Sequence, residues 1–262
     1  MRTQRIDLIE KYIMQEKSVT LDALCEKFNV SKNTIRRDID SLAEKGVIRK
    51  VYGGVTAVSA SGLSPKLIPY ETRHFTLPEE KDKICRLASQ YVKDGDIIYI
   101  DTGTTCLNMV DHISDRQCTI LTNSLQVCLK AVPYPNLNII SLPGKLKRET
   151  LSYVGSEIVD YLKTYNIGKA FMACSGATIE NGLTNATTEE YIVKKAVMEN
   201  TGESYLLADH TKFGHFSLMT YAHLEDIDYI ITDQTPGNEY TDFCQEHQIQ
   251  IVTCKESNTS RE

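Results

Sequence analysis

Five short polar loops, each following an apolar β-prone run, hold most of the side chains in this chain that could bind an anion. Asp101-Thr102-Gly103-Thr104-Thr105 follows "DIIYI", and Thr122-Asn123-Ser124 follows "CTIL". Pro143-Gly144, with Lys147 and Arg148, follows "LNIISL". Ser175-Gly176 and then Asn181-Gly182-Leu183-Thr184 follow "KAFMAC", and "HTKFG" with Lys212 follows "SYLLAD". Glycine lets backbone N–H groups approach an anion, hydroxyls donate to it, and a helix beginning after such a loop favours negative charge. One such loop alone reads as a turn. Five on one sheet edge, with three cations inside an otherwise acidic segment, predict a basic, hydroxyl-lined pocket suited to a phosphorylated sugar or sugar acid. Its expected lining is Asp101, Thr102, Gly103, Thr104, Thr105, Asn123, Ser124, Gly144, Arg148, Ser175, Gly176, Leu183, Thr184 and Lys212.

A second cluster lies near the N-terminus, in "VSKNTIRRDIDSLAEKGVIRKVYGGV". Arginine can pair with guanine and asparagine with adenine through two hydrogen bonds each, so Asn33, Arg36 and Arg37 on one helix face have donors for major-groove base edges. Ser31, Lys32 and Thr34 precede or flank them, and Arg49 and Lys50 fall where phosphates would lie. Asp38 would be repelled by DNA and is expected to pair with a nearby basic side chain. The bland alternative is a solvated or protein-binding helix face.

The elements that must present these residues follow from periodicity. Ile6, Ile9 and Ile13 give a first helix one apolar face, and Leu21, Leu24 and Phe28 give a second, with Thr20 as its N-cap. Ser31 caps a third helix whose buried stripe is Ile35, Ile39 and Leu42, and Gly46 ends it. "VIRKV", a glycine turn and "VTAV" read as a hairpin. This predicts an α+β winged helix-turn-helix domain over residues 1–57. Residues 58–78, rich in Ser, Gly and Pro, read as a linker and lead-in. From 79 to 262, a helix to about Val92 and seven apolar strand runs separated by helix-length stretches predict an α/β domain with a mainly parallel sheet. Ligands of such sheets settle at the carboxyl ends of the strands.

Charge agrees with this division. Residues 1–57 carry 11 Lys or Arg against 8 Asp or Glu, net +3, and residues 58–262 carry 18 against 27, net −9, which together make the whole-chain −6. A basic head on an acidic body suits a polyanion-binding module joined to a unit with a different task. No apolar run reaches the roughly 20 residues that span a bilayer, and the amphipathic N-terminus is not a signal peptide, so a cytoplasmic protein is expected. The eight cysteines are dispersed without a CxxC pair and read as reduced thiols. Cys244 with His247, and His210 with His215, lack further partners at metal-ligand spacing, so neither metal nor cofactor is expected.

The N-terminal stretch resembles the signature of the DeoR family of bacterial sugar-metabolism repressors, in the pattern VS-x-x-TIRRDL followed by R-x-x-GG, with Ile39 where leucine is usual. "DTGTT", "TNS", "GLT" and "ADHTKFG" resemble the family's effector-binding domain. That resemblance implies a fold related to ribose-5-phosphate isomerase, with Asp101 to Thr105 as a phosphate cradle and Lys212 as a pocket residue. In "LPGKLKR", Pro143 replaces the first of the family's usual glycine pair. Within the family, "ILTNSL", "YNIGKAFM", "YLLADHTKFG" and "EYTDFCQEHQI" resemble members that regulate myo-inositol catabolism. This implies a phosphorylated keto-sugar acid as inducer, such as 2-deoxy-5-keto-gluconate 6-phosphate. The implied partners are operator DNA and a second copy or more of the chain, as homodimer or homotetramer, with heads matched to half-sites about 34–36 Å, or a multiple of that, apart.

The isomerases suggest a rival reading, an enzyme, which would need a positioned base. Glu180 and Glu190 could serve, but Glu190 lies three residues after Thr187, a capping-box spacing, and no Lys-Gly-Gly-Gly loop occurs. A sensor without turnover is expected, acting as a repressor, or as a repressor or activator of another sugar-phosphate pathway.

Overall fold

The computed structural model describes residues 2–16, 18–44, 48–51, 54–57 and 69–254. The chain divides into two compact units, Met1–Leu63 and Ser64–Glu262. The expected helix stop at Gly46, the wing tip at Tyr52-Gly53 and linker residues 58–68 lie outside the described residues.

The first unit runs α1 (Arg2–Glu16), β1 (Ser18–Thr20), α2 (Leu21–Phe28), α3 (Lys32–Glu44), β2 (Ile48–Val51) and β3 (Gly54–Ala57). Thr20 caps α2 by accepting from the Ala23 N–H at 3.2 Å. Asn29 closes α2 in the left-handed conformation at φ 50°, which a short polar side chain tolerates. Ile6, Ile9, Ile13, Leu24, Ile35, Ile39 and Leu42 form one core with Ile48 and Val55. The antiparallel hairpin β2–β3 is the expected wing; β1, too short to leave a periodic signal, adds a third strand beside β3.

The second unit opens with α4 (Tyr70–His74), α5 (Pro78–Ser89), β4 (Ile97–Ile100), α6 (Met109–His112), β5 (Cys118–Thr122), α7 (Leu125–Ala131) and β6 (Leu137–Ser141). It continues with β7 (Lys145–Lys147), β8 (Ser152–Val154), α8 (Glu157–Leu162), β9 (Ile167–Met172), β10 (Gly176–Thr178), β11 (Gly182–Asn185) and α9 (Thr188–Glu199). It ends with β12 (Thr201–Leu207), β13 (Met219–Ala222), β14 (Tyr229–Thr232), α10 (Asn238–Glu246) and β15 (Gln250–Thr253). All seven expected strand runs join one parallel sheet, in the order β15-β14-β12-β9-β4-β5-β6. Alternation splits their side chains between two cores: Ile98, Ile100 and Phe171 pack on one face, and Tyr99, Ala170 and Met172 on the other. The antiparallel additions, hairpin β7–β8 and the small sheet β10-β11-β13, consist of three- and four-residue strands that carry no such signal.

This unit reaches back past the expected boundary at 79. Tyr70 on α4 belongs to a core with Ile84 and Ile98, and its N–H donates to the Glu149 carbonyl at 3.0 Å.

Because each unit has its own core, calorimetry of the whole chain should resolve two transitions. Ile35→Ala should lower only the first unit's stability, by about 2–5 kcal/mol, and Phe171→Ala only the second's, by about 3–5 kcal/mol. A shift of both transitions by either substitution would contradict separate folding.

Candidate functional site

In the first unit, α3 is set by its buried stripe, with Ile35, Ile39 and Leu42 all at most 2 % exposed. Its opposite side leaves Lys32, Asn33, Arg36, Arg37 and Asp40 exposed. Ser31, also exposed, and Thr34 have local work, since the Ser31 Oγ accepts from the Thr34 N–H at 3.3 Å and lies 2.9 Å from its hydroxyl. Asp38 is buried, and the Arg5 guanidinium grips it with Nε at 2.8 Å and Nη2 at 3.3 Å, tying α1 to α3. The expected basic partner is therefore Arg5. In β2, Arg49 and Lys50 pair with Thr56 and Val55, and their side chains lie outside the described residues.

In the second unit, a cavity of about 180 Å³ opens where β4, β9 and β11 end. The loop Thr102 to Thr105 lines it, and none of the four N–H groups has an acceptor among the described residues. Such a run of unanswered amides forms an anion-binding concavity. The expected helix after this loop is only α6, beginning at Met109, so the loop's own amides and not a helix terminus are the donors. Gly103 permits the arrangement, because a Cβ there would stand 2.2 Å from the Ala173 Cβ.

Four cations line the same cavity: Arg73, Lys81, Lys194 and Lys212. Burial, and next the charge of Lys212, push the Lys81 ammonium down to about 8, with Arg73 adding to the effect and Asp209 opposing it. Lys81 donates to the Arg73 carbonyl at 2.5 Å, and the Thr104 hydroxyl reaches the same oxygen at 3.4 Å. Burial would raise the buried Asp209 carboxyl, but Lys212 at 3.3 Å, the Thr211 hydroxyl and Lys81 hold it below the ordinary carboxylate value. Cys174 is also on the wall, and burial lifts its thiol to about 12, so it stays neutral. Among the described residues no cluster of three His, Cys, Asp or Glu side chains could hold a metal ion.

Six of the fourteen residues expected in the pocket line it: Thr102, Gly103, Thr104, Thr105, Ser175 and Lys212. The others have different work. Asp101 is buried behind the loop, accepting from the Ala173 N–H at 2.8 Å and from the Lys194 ammonium. Asn123 accepts from the Tyr99 hydroxyl at 2.7 Å and donates to the Tyr153 carbonyl, while Ser124 caps α7. Gly144 makes the turn into β7 at φ +138°, where a Cβ would meet the Val154 carbonyl at 2.8 Å. Arg148 is exposed and does not line the cavity, and Lys147 pairs with Glu189 at 3.1 Å. Gly176 and Thr184 pair across β10 and β11, and Leu183 is core. The polar lining residues that the sequence did not suggest include Thr72, Arg73, Thr76, Lys81, Asn185, Lys194 and Ser217. In sequence, Lys81 and Lys194 look like solvated helix charges, and only the fold turns them inward.

Comparison with known proteins bears on both units. Residues 5–61 match the DeoR-like helix-turn-helix domain, and residues 77–234 match the DeoR C terminal sensor domain. The chain is 45 % identical to the HTH-type transcriptional regulator IolR of Bacillus subtilis, over 96 % of this chain and 99 % of the relative. It is 30 % identical to the transcriptional repressor GlcR of Bacillus subtilis, over 97 % of this chain and 96 % of that protein. It is 29 % identical to the glycerol-3-phosphate regulon repressor of Escherichia coli, over 97 % and 99 %. Among solved structures, ribose 5-phosphate isomerase A of Methanocaldococcus jannaschii aligns with 52 % of this chain and 55 % of its own, at 19 % identity and a TM-score of 0.39. With the family's helix-turn-helix and sensor domains matched in turn along this chain, and a relative matched over nearly its whole length, this chain belongs to the DeoR family of transcriptional regulators.

Proposed function

We propose that the first unit holds operator DNA through α3 and the wing, and that a phosphorylated sugar or sugar acid in the second unit's cavity releases the repressor. The observation that carries the effector half is the run of four acceptorless amides from Thr102 to Thr105 beside Arg73, Lys81 and Lys212. A phosphate dianion would answer amides and cations together. The glycerol-3-phosphate regulon repressor among the relatives supports a phosphorylated effector. The extended likeness to IolR, with the stretches shared with inositol-pathway regulators, supports an inositol catabolism operon as target and its keto-sugar-acid phosphate as inducer.

Release is coupled to binding through α4. Lys81 and Thr104 both donate to the Arg73 carbonyl, which anchors α4. A phosphate taking those donors weakens that anchor, and α4 is the first described element after the linker that leads from the head. The effector then favours states in which two heads no longer fit two half-sites.

Binding without turnover is the better reading of the acidic groups. Glu180 is exposed and does not line the cavity. Glu190 lines it, but its Oε2 accepts from the Thr187 hydroxyl at 3.0 Å in the cap of α9.

Two measurements test these halves. Arg36→Ala or Arg37→Ala should cost about 1–3 kcal/mol of specific operator binding where the arginine reads a guanine, whereas Lys50→Ala should weaken binding evenly across sequences and flatten its salt dependence. Unchanged operator affinity in the Arg36→Ala, Arg37→Ala double variant would exclude α3 as the reading helix. In the cavity, Lys81 loses its charge as pH rises through about 8, so effector affinity should fall over that interval. Lys81→Arg, charged throughout, should flatten the profile. Titration calorimetry of inositol-pathway phosphates across this range checks it, with NMR of the same samples for turnover. An identical pH profile in the two proteins would remove Lys81 from the site, and conversion at an enzymatic rate would reinstate the enzyme.

A further inference from the structure

Asn185, in the cavity wall, leaves one buried acceptor unanswered. It is 2 % exposed at the end of β11 and lines the cavity. Its Nδ2 donates to the Thr187 carbonyl at 2.6 Å, which fixes the amide's orientation, and its Oδ1 has no donor among the described residues. A buried acceptor without a donor has lost its hydrogen bonds to water and gained none in return, an arrangement rare in native proteins. The neighbouring Ala186 has no side-chain donor, and the nearby Thr187 hydroxyl is committed to Glu190. The cavity thus has two opposite deficits: the Thr102 to Thr105 amides lack an acceptor, and Asn185 lacks a donor. A bare phosphate dianion answers only the first.

We propose that Asn185 is a specificity-determining residue that accepts a hydrogen bond from a hydroxyl of the effector, so that the cavity takes a hydroxylated phosphate ester in preference to phosphate alone. This rests on reading the cavity as an anion site. Within that reading it assigns the selection of the sugar moiety to Asn185 and leaves charge recognition to the loop and the lysines. An ester that lacks a hydroxyl at the matching carbon leaves Oδ1 without a donor, and is rejected for that reason.

The test is calorimetric titration of the full-length chain with inorganic phosphate, ribose 5-phosphate, 2-deoxyribose 5-phosphate, fructose 1-phosphate and 2-deoxy-5-keto-gluconate 6-phosphate. In the wild type at least one ester should bind tenfold or more tightly than phosphate. Asn185→Leu, close in shape but apolar, should weaken that ester by about ten- to a hundredfold and leave inorganic phosphate unchanged. Asn185→Asp, which keeps an acceptor, should preserve the ester-to-phosphate ratio even where its charge weakens both. Lys81→Met should weaken esters and phosphate alike. Equal weakening of ester and phosphate by Asn185→Leu, no weakening of either, or a wild type that binds no ester better than phosphate would overturn the assignment. Should Asn185→Leu not fold, the ratios in the wild type and in Asn185→Asp decide it. If Lys81→Met changes neither ligand, or the wild type binds none of the five, the anion-site reading itself fails.

Discussion

The carboxylate of Asp101 is the joint on which the working edge of the sensor unit depends. It stands just past the end of β4 and accepts from the Ala173 N–H, just past the end of the adjacent central strand β9. It also accepts from Lys194, which brings in α9. Lys194 donates in turn to the Ala173 carbonyl at 2.8 Å and lies 5.1 Å from the centre of the Tyr221 ring, whose hydroxyl reaches that carbonyl at 3.1 Å. Removing one partner of so buried an ion pair costs about 3–5 kcal/mol, because the other charge stays behind without compensation. With Gly103 pressed against Ala173, this network fixes where the loop holds its amides.

The two anion-binding surfaces proposed for this chain could compete for each other's ligands, and the charge distribution would keep them apart. The head carries net +3 and exposes its cations on α3. The remainder carries net −9, with Lys81 and Lys194 buried in the cavity and acids such as Glu71, Glu79 and Asp94 on the surface. A polyanion such as DNA meets mostly negative charge there, while a small anion that enters the cavity meets positive charge of reduced hydration.

The sheet was legible in the sequence because its strands are buried on both faces and read as continuous apolar runs. All seven lie where the runs predicted, and so do the buried stripe of α3 and the cap at Thr20. The cavity was only half legible. One loop of hydroxyls beside a glycine reads as a turn, but five on one sheet edge point to an anion, so Thr102 to Thr105 stood out with the rest. "YETRHF" has no apolar period and looked like linker, yet it supplies Thr72 and Arg73. Lys81, among the acids of "PEEKDK", looked solvated, and burial is a property of the fold, not of its neighbours in sequence. Asp101 misled in the other direction: a carboxylate among hydroxyls suggested a ligand contact, whereas its partner, Lys194, lies on α9, far along the chain.

The reach of the sensor unit back to Ser64 bears on how such regulators can be recombined. On the proposed reading operator recognition is confined to the segment before the linker, and the cavity's lining residues all fall between Thr72 and Ser217. A chimera joining this effector specificity to another regulator's head must therefore be spliced ahead of α4. A junction at 79, where the helical periodicity begins, would carry over Lys81 and the amide loop but discard Thr72, Arg73 and the carbonyl that anchors Lys81. The product would be a folded sheet with part of its cavity wall missing and Lys81 without its acceptor.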